Sequence, residues 1–303
     1  MRFMTSLCLL ATSLVTLAND PPHATAANSI IKTDKALAPT KAQLRANIRA
    51  VKPAATKHGE NATANKKPSL VEHEEEDLSH WSYEGKLTGP ARWGTMNSAY
   101  SQCVEGKTQS PINIEGAVQQ KLDPLKIAYG LSKLAITNNG HTIQVNIEPG
   151  SWLEALGERY ELKQFHFHTP SEEAINGRRY PLVAHMVHMS EAGTLAVIAV
   201  LFKEGRPNPT LEAIWPRIPT EHNETRSYSE RILSPASLLP DNLTFYTFKG
   251  SLTTPPCSEE VRWLVLKTPV EISSAQIERF RQEYPMNARP LQPLNDREVL
   301  ESK

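Results

Sequence analysis

Gln164-Phe165-His166-Phe167-His168, written QFHFH, places two histidines two residues apart, each preceded by a phenylalanine. Successive side chains of a β-strand point to opposite faces, so a strand here puts both histidines on one face and both phenylalanines on the other. A buried strand rarely carries two polar rings on one face without partners. Two such imidazoles can bind one metal ion while the phenylalanines pack into a core, and Zn²⁺, Cu²⁺, Ni²⁺ and Fe²⁺ are the ions that imidazole suits.

A third ligand is needed, because a catalytic zinc site usually has three protein ligands and an open fourth position. The nearest candidates are His185 and His188 in LVAHMVHM, residues 182–189. As a strand, this segment puts Val183, His185 and Val187 on one face and His188 on the other. His185 is preferred because its face also carries valines that can line a pocket, but spacing alone leaves His188 open. Spacing does not identify the reaction either, since cupin-type oxygenases and several hydrolases also use His-x-His pairs.

The chain from Trp81 onward has the composition of a strand-rich domain. Short runs rich in Val, Ile, Phe and Trp alternate with turn signals such as Asn139-Gly140. One capped helical pattern follows Ser273 and turns three side chains inward: Ile277, Phe280 and Tyr284. We predict an α+β, strand-dominated single domain built around a large twisted, mostly antiparallel mixed β-sheet with short peripheral helices.

The N-terminus is typical of a secretory signal peptide, predicted over residues 1–26. It has an early arginine, an apolar run from Phe3 to Leu17 and small residues that allow cleavage after Ala18 or Ala26. The run is shorter than the roughly 20 residues that a bilayer span needs, which argues against a membrane anchor. We therefore expect an exported protein, periplasmic or secreted.

Between the signal peptide and the domain, residues 27–77 are predicted to form a disordered basic linker with an acidic end. Residues 27–70 carry a formal charge of +7, contain no aromatic side chain and offer too little apolar surface to offset the entropy of ordering. Residues 71–303 carry −7. A solvated tether is the preferred interpretation, and a basic arm that rests on an anionic surface is the alternative. The folded domain is predicted over residues 78–300.

Cysteine usage agrees with export. Once the signal peptide is removed, Cys103 and Cys257 are the two cysteines that remain. An even number in a chain bound for an oxidising compartment predicts one disulfide, and two unpaired buried thiols are the alternative.

Five separated motifs occur in order along the chain: QSPINI (109–114), NNGH (138–141), QFHFH (164–168), LVAHMVH (182–188) and GSLTTPPC (250–257). Together they resemble the α-class carbonic anhydrases of the bacterial, exported type, which are zinc enzymes that interconvert carbon dioxide and bicarbonate. The resemblance runs from about His80 to Asn295. It implies that His166, His168 and His185 hold Zn²⁺, and that hydroxide formed at the metal attacks CO₂ to give bicarbonate and a proton.

The resemblance also implies roles for residues around the metal. Thr253 would accept a hydrogen bond from the hydroxide and donate its own to Glu172, and His141 would carry the proton away with a pKa near neutrality. The substrate pocket would contain Val187, Val197, Leu252, Thr254 and Trp263. The polar lining would contain Tyr83, Asn138 and Gln164. Cys103 and Cys257 match the disulfide of extracellular and bacterial members.

Two departures from the family pattern adjoin the predicted metal site. Val183 stands where relatives usually have a glutamate that hydrogen-bonds the other nitrogen of the third histidine. Glu173, after Glu172, stands where relatives commonly have His or Asn. Our hypothesis is a coupled exchange in which the Glu173 carboxylate orients His185. Loss of such a partner typically costs 10–100-fold in metal affinity or activity.

The leading prediction is therefore a zinc carbonic anhydrase. If Val183 is not compensated, the alternative is a carbonic-anhydrase-like zinc-binding module with weak or no turnover. A third interpretation, a His-x-His oxygenase with iron, is disfavoured by SLTTPP and NNGH. Carbon dioxide and bicarbonate are the expected partners, with no nucleic acid and no stable membrane span. A homodimer is a further expectation, since bacterial relatives are often dimers.

Overall fold

A computed structural model describes residues 80–303, which contain sixteen strands, four α-helices and three single 3₁₀ turns. The predicted signal peptide and linker lie outside the described residues, as do the first two residues of the predicted domain. The helices are α1 Trp93–Met96, α2 Gln102–Glu105, α3 Pro209–Ile214 and α4 Ser274–Glu283. The 3₁₀ turns are Ser98–Tyr100, Trp215–Arg217 and Pro235–Leu238. The strands are β1 Asn113–Ile114, β2 Val118–Gln119, β3 Lys126–Ala128, β4 Ser132–Asn138, β5 Ile143–Asn146, β6 Trp152–Ala155, β7 Glu158–His168, β8 Ala174–Ile175, β9 Arg178–Arg179, β10 Leu182–Ser190, β11 Leu195–Glu204, β12 Glu224–Leu233, β13 Phe245–Gly250, β14 Val261–Leu266, β15 Val270–Ile272 and β16 Leu300–Glu301.

A sheet of thirteen strands dominates the fold. Its main path runs β12-β4-β5-β7-β10-β11-β14-β13-β16-β2, with β3, β6 and β15 attached at its sides. Most neighbours are antiparallel, while β11 pairs in parallel with β14 and β15, and β16 with β2. A second sheet contains only β1, β8 and β9. The predicted fold class, a strand-dominated α+β domain around a large mixed sheet, is confirmed.

The alternation in QFHFH explains how β7 separates core from site. Phe165 and Phe167 are fully buried on one face of the sheet, in the larger of its apolar clusters. The Phe167 ring packs edge-on against Trp215 with centroids 4.8 Å apart. His166 and His168 occupy the other face, as a period of two requires. Burial of the phenylalanines therefore fixes which face presents the histidines.

Strand register brings separate segments to this second face. Antiparallel pairing of β10 with β7 sets His185 directly opposite His166. On the next strand Val197 lies opposite Val187, and parallel pairing sets Trp263 beside Val197. Since these pairs share a face of the sheet, the site histidines and an apolar row occupy adjacent positions.

Helix α4 forms where the sequence predicts it. The Ser273 hydroxyl accepts a hydrogen bond from the backbone N–H of Gln276. The Gln276 side-chain oxygen in turn accepts one from the backbone N–H of Ser273, which completes a capping box. The three side chains predicted to face inward, Ile277, Phe280 and Tyr284, are buried. None of the helices within residues 80–303 is long and apolar enough to cross a membrane.

The C-terminal boundary differs slightly from the prediction. The expected limit at residue 300 falls inside β16, which pairs with β13 and β2. Beyond it, the Ser302 N–H donates to the Phe245 carbonyl at 2.9 Å and the Phe245 N–H donates to the Ser302 hydroxyl at 2.8 Å. The sheet therefore holds the chain almost to its last residue.

Candidate metal centre

His166, His168 and His185 converge on one point above the sheet. Their ring centroids are 5.0 Å apart for the first pair, 5.5 Å for His166 and His185, and 4.7 Å for His168 and His185. One ring nitrogen from each lies within 4.8 Å of those of the other two. Among the described residues, these three histidines form the group of His, Cys, Asp or Glu side chains that has the spacing of a metal site.

The two histidines of β7 each use one nitrogen to bond the protein. His166 Nδ1 lies 2.9 Å from Gln164 Oε1, and His168 Nδ1 lies 2.7 Å from the backbone carbonyl of Asn287. Oxygens of this kind only accept, so each Nδ1 carries the proton and each Nε2 keeps a free lone pair. His168 Nε2 is buried and has no hydrogen-bond partner among the described atoms. A metal ion would satisfy that nitrogen.

His185 is held through its opposite nitrogen. Its Nε2 lies 3.0 and 3.3 Å from the two carboxylate oxygens of Glu173, which is fully buried. Nδ1 is therefore the nitrogen that remains for the histidine cluster. Val183, two residues earlier on β10, is buried in an apolar cluster with Val197 and makes no polar contact with the ring. The carboxylate reaches His185 from the segment after β7.

The electrostatics of the cluster favour neutral imidazoles on β7. Burial, with repulsion from His185, lowers the pKa of His166 to about 3, and burial also lowers the pKa of His168 well below its usual value. Burial acts to lower the pKa of His185 too, but Glu173 and Glu172 outweigh it and raise that pKa. Metal binding requires neutral histidines, and three of them with an open fourth position fit catalytic Zn²⁺. The residues present therefore suit the ion.

Glu172 lies against the cluster. Its Oε2 is 3.5 Å from His168 Nε2 and 3.8 Å from His185 Nδ1, and it has no hydrogen-bond donor among the described residues. Its Oε1 accepts a bond of 2.7 Å from the backbone N–H of Arg289. Burial raises the pKa of Glu172 to about 7, while His185 and Thr253 act to lower it. The two residues predicted to orient the hydroxide, Thr253 and Glu172, thus influence each other electrostatically.

This geometry agrees with what comparison with known proteins finds. The family profile described as eukaryotic-type carbonic anhydrase matches residues 88–303. The chain belongs to the carbonic anhydrase family.

Individual relatives extend the match over the whole described domain. A carbonic anhydrase of Pectobacterium carotovorum is 46% identical over 225 residues, which cover 74% of this chain and 91% of the relative. A solved hyperthermostable carbonic anhydrase from a hydrothermal vent chimney is 48% identical, with a TM-score of 0.72 over 74% of this chain and all of that one. The carbonic anhydrase of Thermovibrio ammonificans, solved with the inhibitor sulfanilamide, is 45% identical with a TM-score of 0.70, over 74% of this chain and 99% of its own.

The residues predicted for the substrate pocket of a carbonic anhydrase gather beside the histidines. One apolar cluster contains four of them: Val187, Val197, Leu252 and Trp263. The Trp263 ring meets His185 edge-on with centroids 4.9 Å apart, and its Nε1 donates to the Ser251 carbonyl at 3.0 Å. Thr254, the fifth, is half-buried next to Thr253, and its carbonyl accepts a bond from the Cys257 N–H.

The residues predicted for the polar lining differ in their distance from the histidines. Gln164 contacts His166, and the Tyr83 ring meets His168 edge-on at 6.4 Å, with a buried hydroxyl that has no partner among the described residues. Asn138 does not line the cavity itself, although its Oδ1 accepts hydrogen bonds from Tyr284 and Gly140, which do. Its side chain is 2% exposed and bonds the Pro219 carbonyl, because the last position of β4 points to the core face that also carries Leu134 and Ile136. The following residue, Asn139, lines the cavity instead.

His141 lies in the predicted turn, but its pKa is lower than the resemblance implies. Its ring is half-buried and stacks on Trp81, with centroids 3.7 Å apart and planes 9° from parallel. Burial, followed by repulsion from His80 and His222, lowers its pKa to about 4. This pKa lies below the value near neutrality that the resemblance implies, and neither the stacking nor the other imidazoles can be read from NNGH.

His188, the other candidate for third ligand, belongs to the opposite face. Its Nδ1 lies 3.3 Å from the Ala196 carbonyl, and its Nε2 lies 2.6 Å from the Tyr129 hydroxyl. Both nitrogens are used, and the ring is fully buried. The choice of His185 over His188 agrees with the three-histidine cluster.

The predicted disulfide joins Cys103 to Cys257, which are 154 residues apart in sequence. Beside it lies Arg289, which sequence reasoning missed. The buried guanidinium donates to the Cys103 and Ser110 carbonyls at 3.1 and 2.7 Å and to Gln109 Oε1 at 2.9 Å. Arg289 and Asn287 contact the site mainly through backbone atoms, whose contacts leave no signal in residue type.

Proposed function

We propose that this carbonic anhydrase catalyses the reversible hydration of carbon dioxide to bicarbonate and a proton, with His166, His168 and His185 holding Zn²⁺. The zinc assignment rests on the different contacts that the two nitrogens of each imidazole make. One nitrogen of each ring bonds a protein oxygen, and the other faces the cluster within 4.8 Å of its counterparts. The buried, unpartnered Nε2 of His168 is a nitrogen that folding leaves unsatisfied unless a cation binds.

When held by His166, His168 and His185, Zn²⁺ would supply the Lewis acidity that makes hydroxide available under mild conditions, an effect for which carbonic anhydrases are the reference case. Thr253 then orients the nucleophile. In this proposal the Thr253 hydroxyl donates its proton to Glu172, whose pKa it acts to lower, and its oxygen then accepts a hydrogen bond from the reacting oxygen. Glu172 is held in turn by the Arg289 N–H. This order of donors turns a lone pair of the nucleophile toward the substrate.

The substrate is small and apolar, and the wall next to the histidines has the same character. Val187 and Trp263 stand at the site edge of an apolar cluster and would receive CO₂ without competing for its oxygens through hydrogen bonds. His141 lines a cavity with Tyr83, whose ring contacts His168, and would accept the released proton; because its pKa is about 4, it would hold that proton only briefly before passing it on. The charged product, bicarbonate, is poorly matched to the apolar wall, which favours its departure.

We also propose that Glu173 replaces the glutamate that relatives carry at position 183. A buried carboxylate 3.0 Å from His185 Nε2 accepts that N–H, keeps Nδ1 unprotonated for the metal and raises the basicity of the ring. Val183 then needs no polar function and packs as core. This removes the reason for expecting a zinc-binding module without turnover.

Metal analysis combined with a CO₂ hydration assay tests the proposal. The purified enzyme should contain about one zinc per chain, lose hydration activity when a chelator strips the metal, and regain it with Zn²⁺. His168→Ala should lower both the zinc content and the rate. Its matched control, His188→Gln, should keep the zinc. A zinc-replete protein with no hydration activity would contradict the proposed function, and activity that survives complete metal removal would contradict the ligand assignment.

Export is proposed on two grounds that are independent of the site. The disulfide between Cys103 and Cys257 is buried, and disulfides persist in oxidising compartments. The first 26 residues have the pattern of a cleaved signal. Cell fractionation and N-terminal sequencing test this: the mature protein should be periplasmic or secreted and begin after Ala18 or Ala26. An uncleaved N-terminus in the cytosolic fraction would contradict export.

A further inference from the structure

A second group of imidazoles lies at the mouth of the site, away from the proposed zinc ligands. Three histidines line a single cavity of about 560 Å³: His80, His141 and His222. Tyr83 connects this outer cavity to the metal centre, since it also lines the cavity while its ring contacts His168. Asn139, Gly140 and Tyr284 complete the wall near His141. The mechanism above uses only one of the three imidazoles.

The fold holds His222 close to the turn that carries His141. A methyl group placed on Gly140 would lie 3.9 Å from both Cγ and Nδ1 of His222. The loop of His222 is fixed there by backbone pairing: the Asn223 N–H donates to the Asn138 carbonyl at 2.6 Å, and Glu224 then pairs with Asn138 as β12 joins β4. Strand pairing rather than side-chain contact therefore sets the separation of the two histidines.

The two imidazoles differ in their access to solvent. His141 is half-buried and stacks with one face on Trp81, whereas the His222 side chain is exposed. A group that takes a proton from the interior must also pass it to buffer, and a ring covered on one face by tryptophan meets buffer less readily than an exposed ring. The exposed imidazole is thus placed between the covered one and solvent.

We infer that His222 is a relay residue that takes the proton from His141 and releases it to solvent. In this step an N–H bond of the His141 imidazolium breaks and an N–H bond forms on a ring nitrogen of His222; no electrons are transferred. His141 returns to its neutral form, ready for the next turnover, and His222 loses the proton to buffer. The inference rests on the proposed function, in which hydration releases one proton per turnover.

The low pKa of His141 supports this direction of transfer. A proton on a ring whose pKa is about 4 is weakly held at neutral pH, so it moves readily to a neighbouring base. His222 also faces the other charged and titratable groups that line the cavity: His80, Glu84 and Tyr284. Glu221 precedes it in the same exposed loop. The carboxylates favour a transient positive charge at the mouth, while His80 opposes it.

Stopped-flow CO₂ hydration with the zinc-loaded, full-length enzyme separates the relay from other roles. The value of kcat/KM covers steps up to bicarbonate release, and kcat in dilute buffer also includes proton export. His222→Gln should lower kcat in about 1 mM buffer by about tenfold, below the 10²–10⁴-fold of a directly acting acid–base group. It should leave kcat/KM unchanged, and added imidazole should restore kcat. Glu230→Gln, an exposed position on β12 that does not line the cavity, is the control and should behave as wild type.

A double variant tests the order of the relay. If His222 acts through His141, His222→Gln should cause no further loss of kcat in a His141→Ala background. An unchanged kcat for His222→Gln in dilute buffer overturns the inference, and so does a parallel fall of kcat and kcat/KM that imidazole does not rescue. An additive loss in the double variant also overturns the series order. Failure of the proposed function is distinguishable, because it would appear as an inactive zinc-loaded wild type.

Discussion

The Glu173→Gln substitution tests the most unusual feature of the metal centre. Glutamine keeps the size of the side chain and one acceptor oxygen but removes the negative charge and introduces an amide donor. The Glu173 carboxylate is fully buried, and its two oxygens lie 3.0 and 3.3 Å from His185 Nε2. Solvent therefore cannot replace the lost charge, and the ring loses the partner that fixes its tautomer.

The expected magnitude follows from what such partners contribute elsewhere. Removal of the group that hydrogen-bonds a ligand histidine costs 10–100-fold in metal affinity. This corresponds to about 1.4–2.8 kcal/mol, since tenfold is about 1.4 kcal/mol. The complete burial of Glu173 and its contact through both oxygens favour the upper part of this range. We expect the zinc Kd to rise by about 30- to 100-fold, with a fall in kcat/KM at limiting zinc.

Competition with a chromophoric chelator measures the zinc Kd directly. Glu191→Gln, at the exposed turn after β10, is the control because it removes the same charge away from the ring. A second variant reverses the exchange: Val183→Glu combined with Glu173→Gln returns a carboxylate to the β10 face of His185, and should recover part of the affinity. A zinc Kd for Glu173→Gln within about twofold of wild type would refute the idea that Glu173 supports His185.

Three further predictions concern stability. Replacing both Cys103 and Cys257 by serine should lower the free energy of unfolding by about 2–5 kcal/mol, since the disulfide closes a long loop; urea unfolding checks this, and an unchanged midpoint would contradict it. Burial lowers the pKa of His188 to about 4, so the unfolded state binds a proton at this histidine before the folded state does as pH falls. The free energy of unfolding should therefore fall by up to about 3 kcal/mol between about pH 6.5 and 4. The free energy of unfolding of His188→Gln should therefore depend less on pH over that window than that of wild type, and equal slopes would count against it. Ser273→Ala should cost about 1 kcal/mol by removing the cap of α4, whereas Ser273→Asp should retain most of it; equal losses in thermal unfolding would show that the cap is not the cause.

The face of β7 that carries His166 and His168 could be predicted from sequence because it depends on local geometry. Alternation along β7 follows from the backbone alone, so two polar rings between two buried phenylalanines define both faces at once. The α4 cap is local in the same sense, since Ser273 and Gln276 are three residues apart. Such features need no knowledge of the rest of the chain.

Residues that reach the site from a distance could not be predicted in this way. Asn287 and Arg289 contribute a backbone carbonyl to His168 and a backbone N–H to Glu172 across more than a hundred residues of sequence. Every residue type carries these groups, so no pattern marks them. Asn138 and Asn139 show a related effect: neighbouring residues of an extended segment point to opposite faces, and Asn139 rather than Asn138 lines the cavity.

The sequence by itself determined the His166–His168 pair and the motifs that resemble one family, because these depend on residue identity and short spacing. Only the tertiary structure decided which nitrogen of each histidine faces the cluster, that Glu173 rather than position 183 holds His185, and that His222 stands beside His141. Those outcomes depend on strand register and on burial, which arise when distant segments pack together. Short motifs can thus contain the metal ligands, whereas the electrostatic surroundings of those ligands depend on the whole fold.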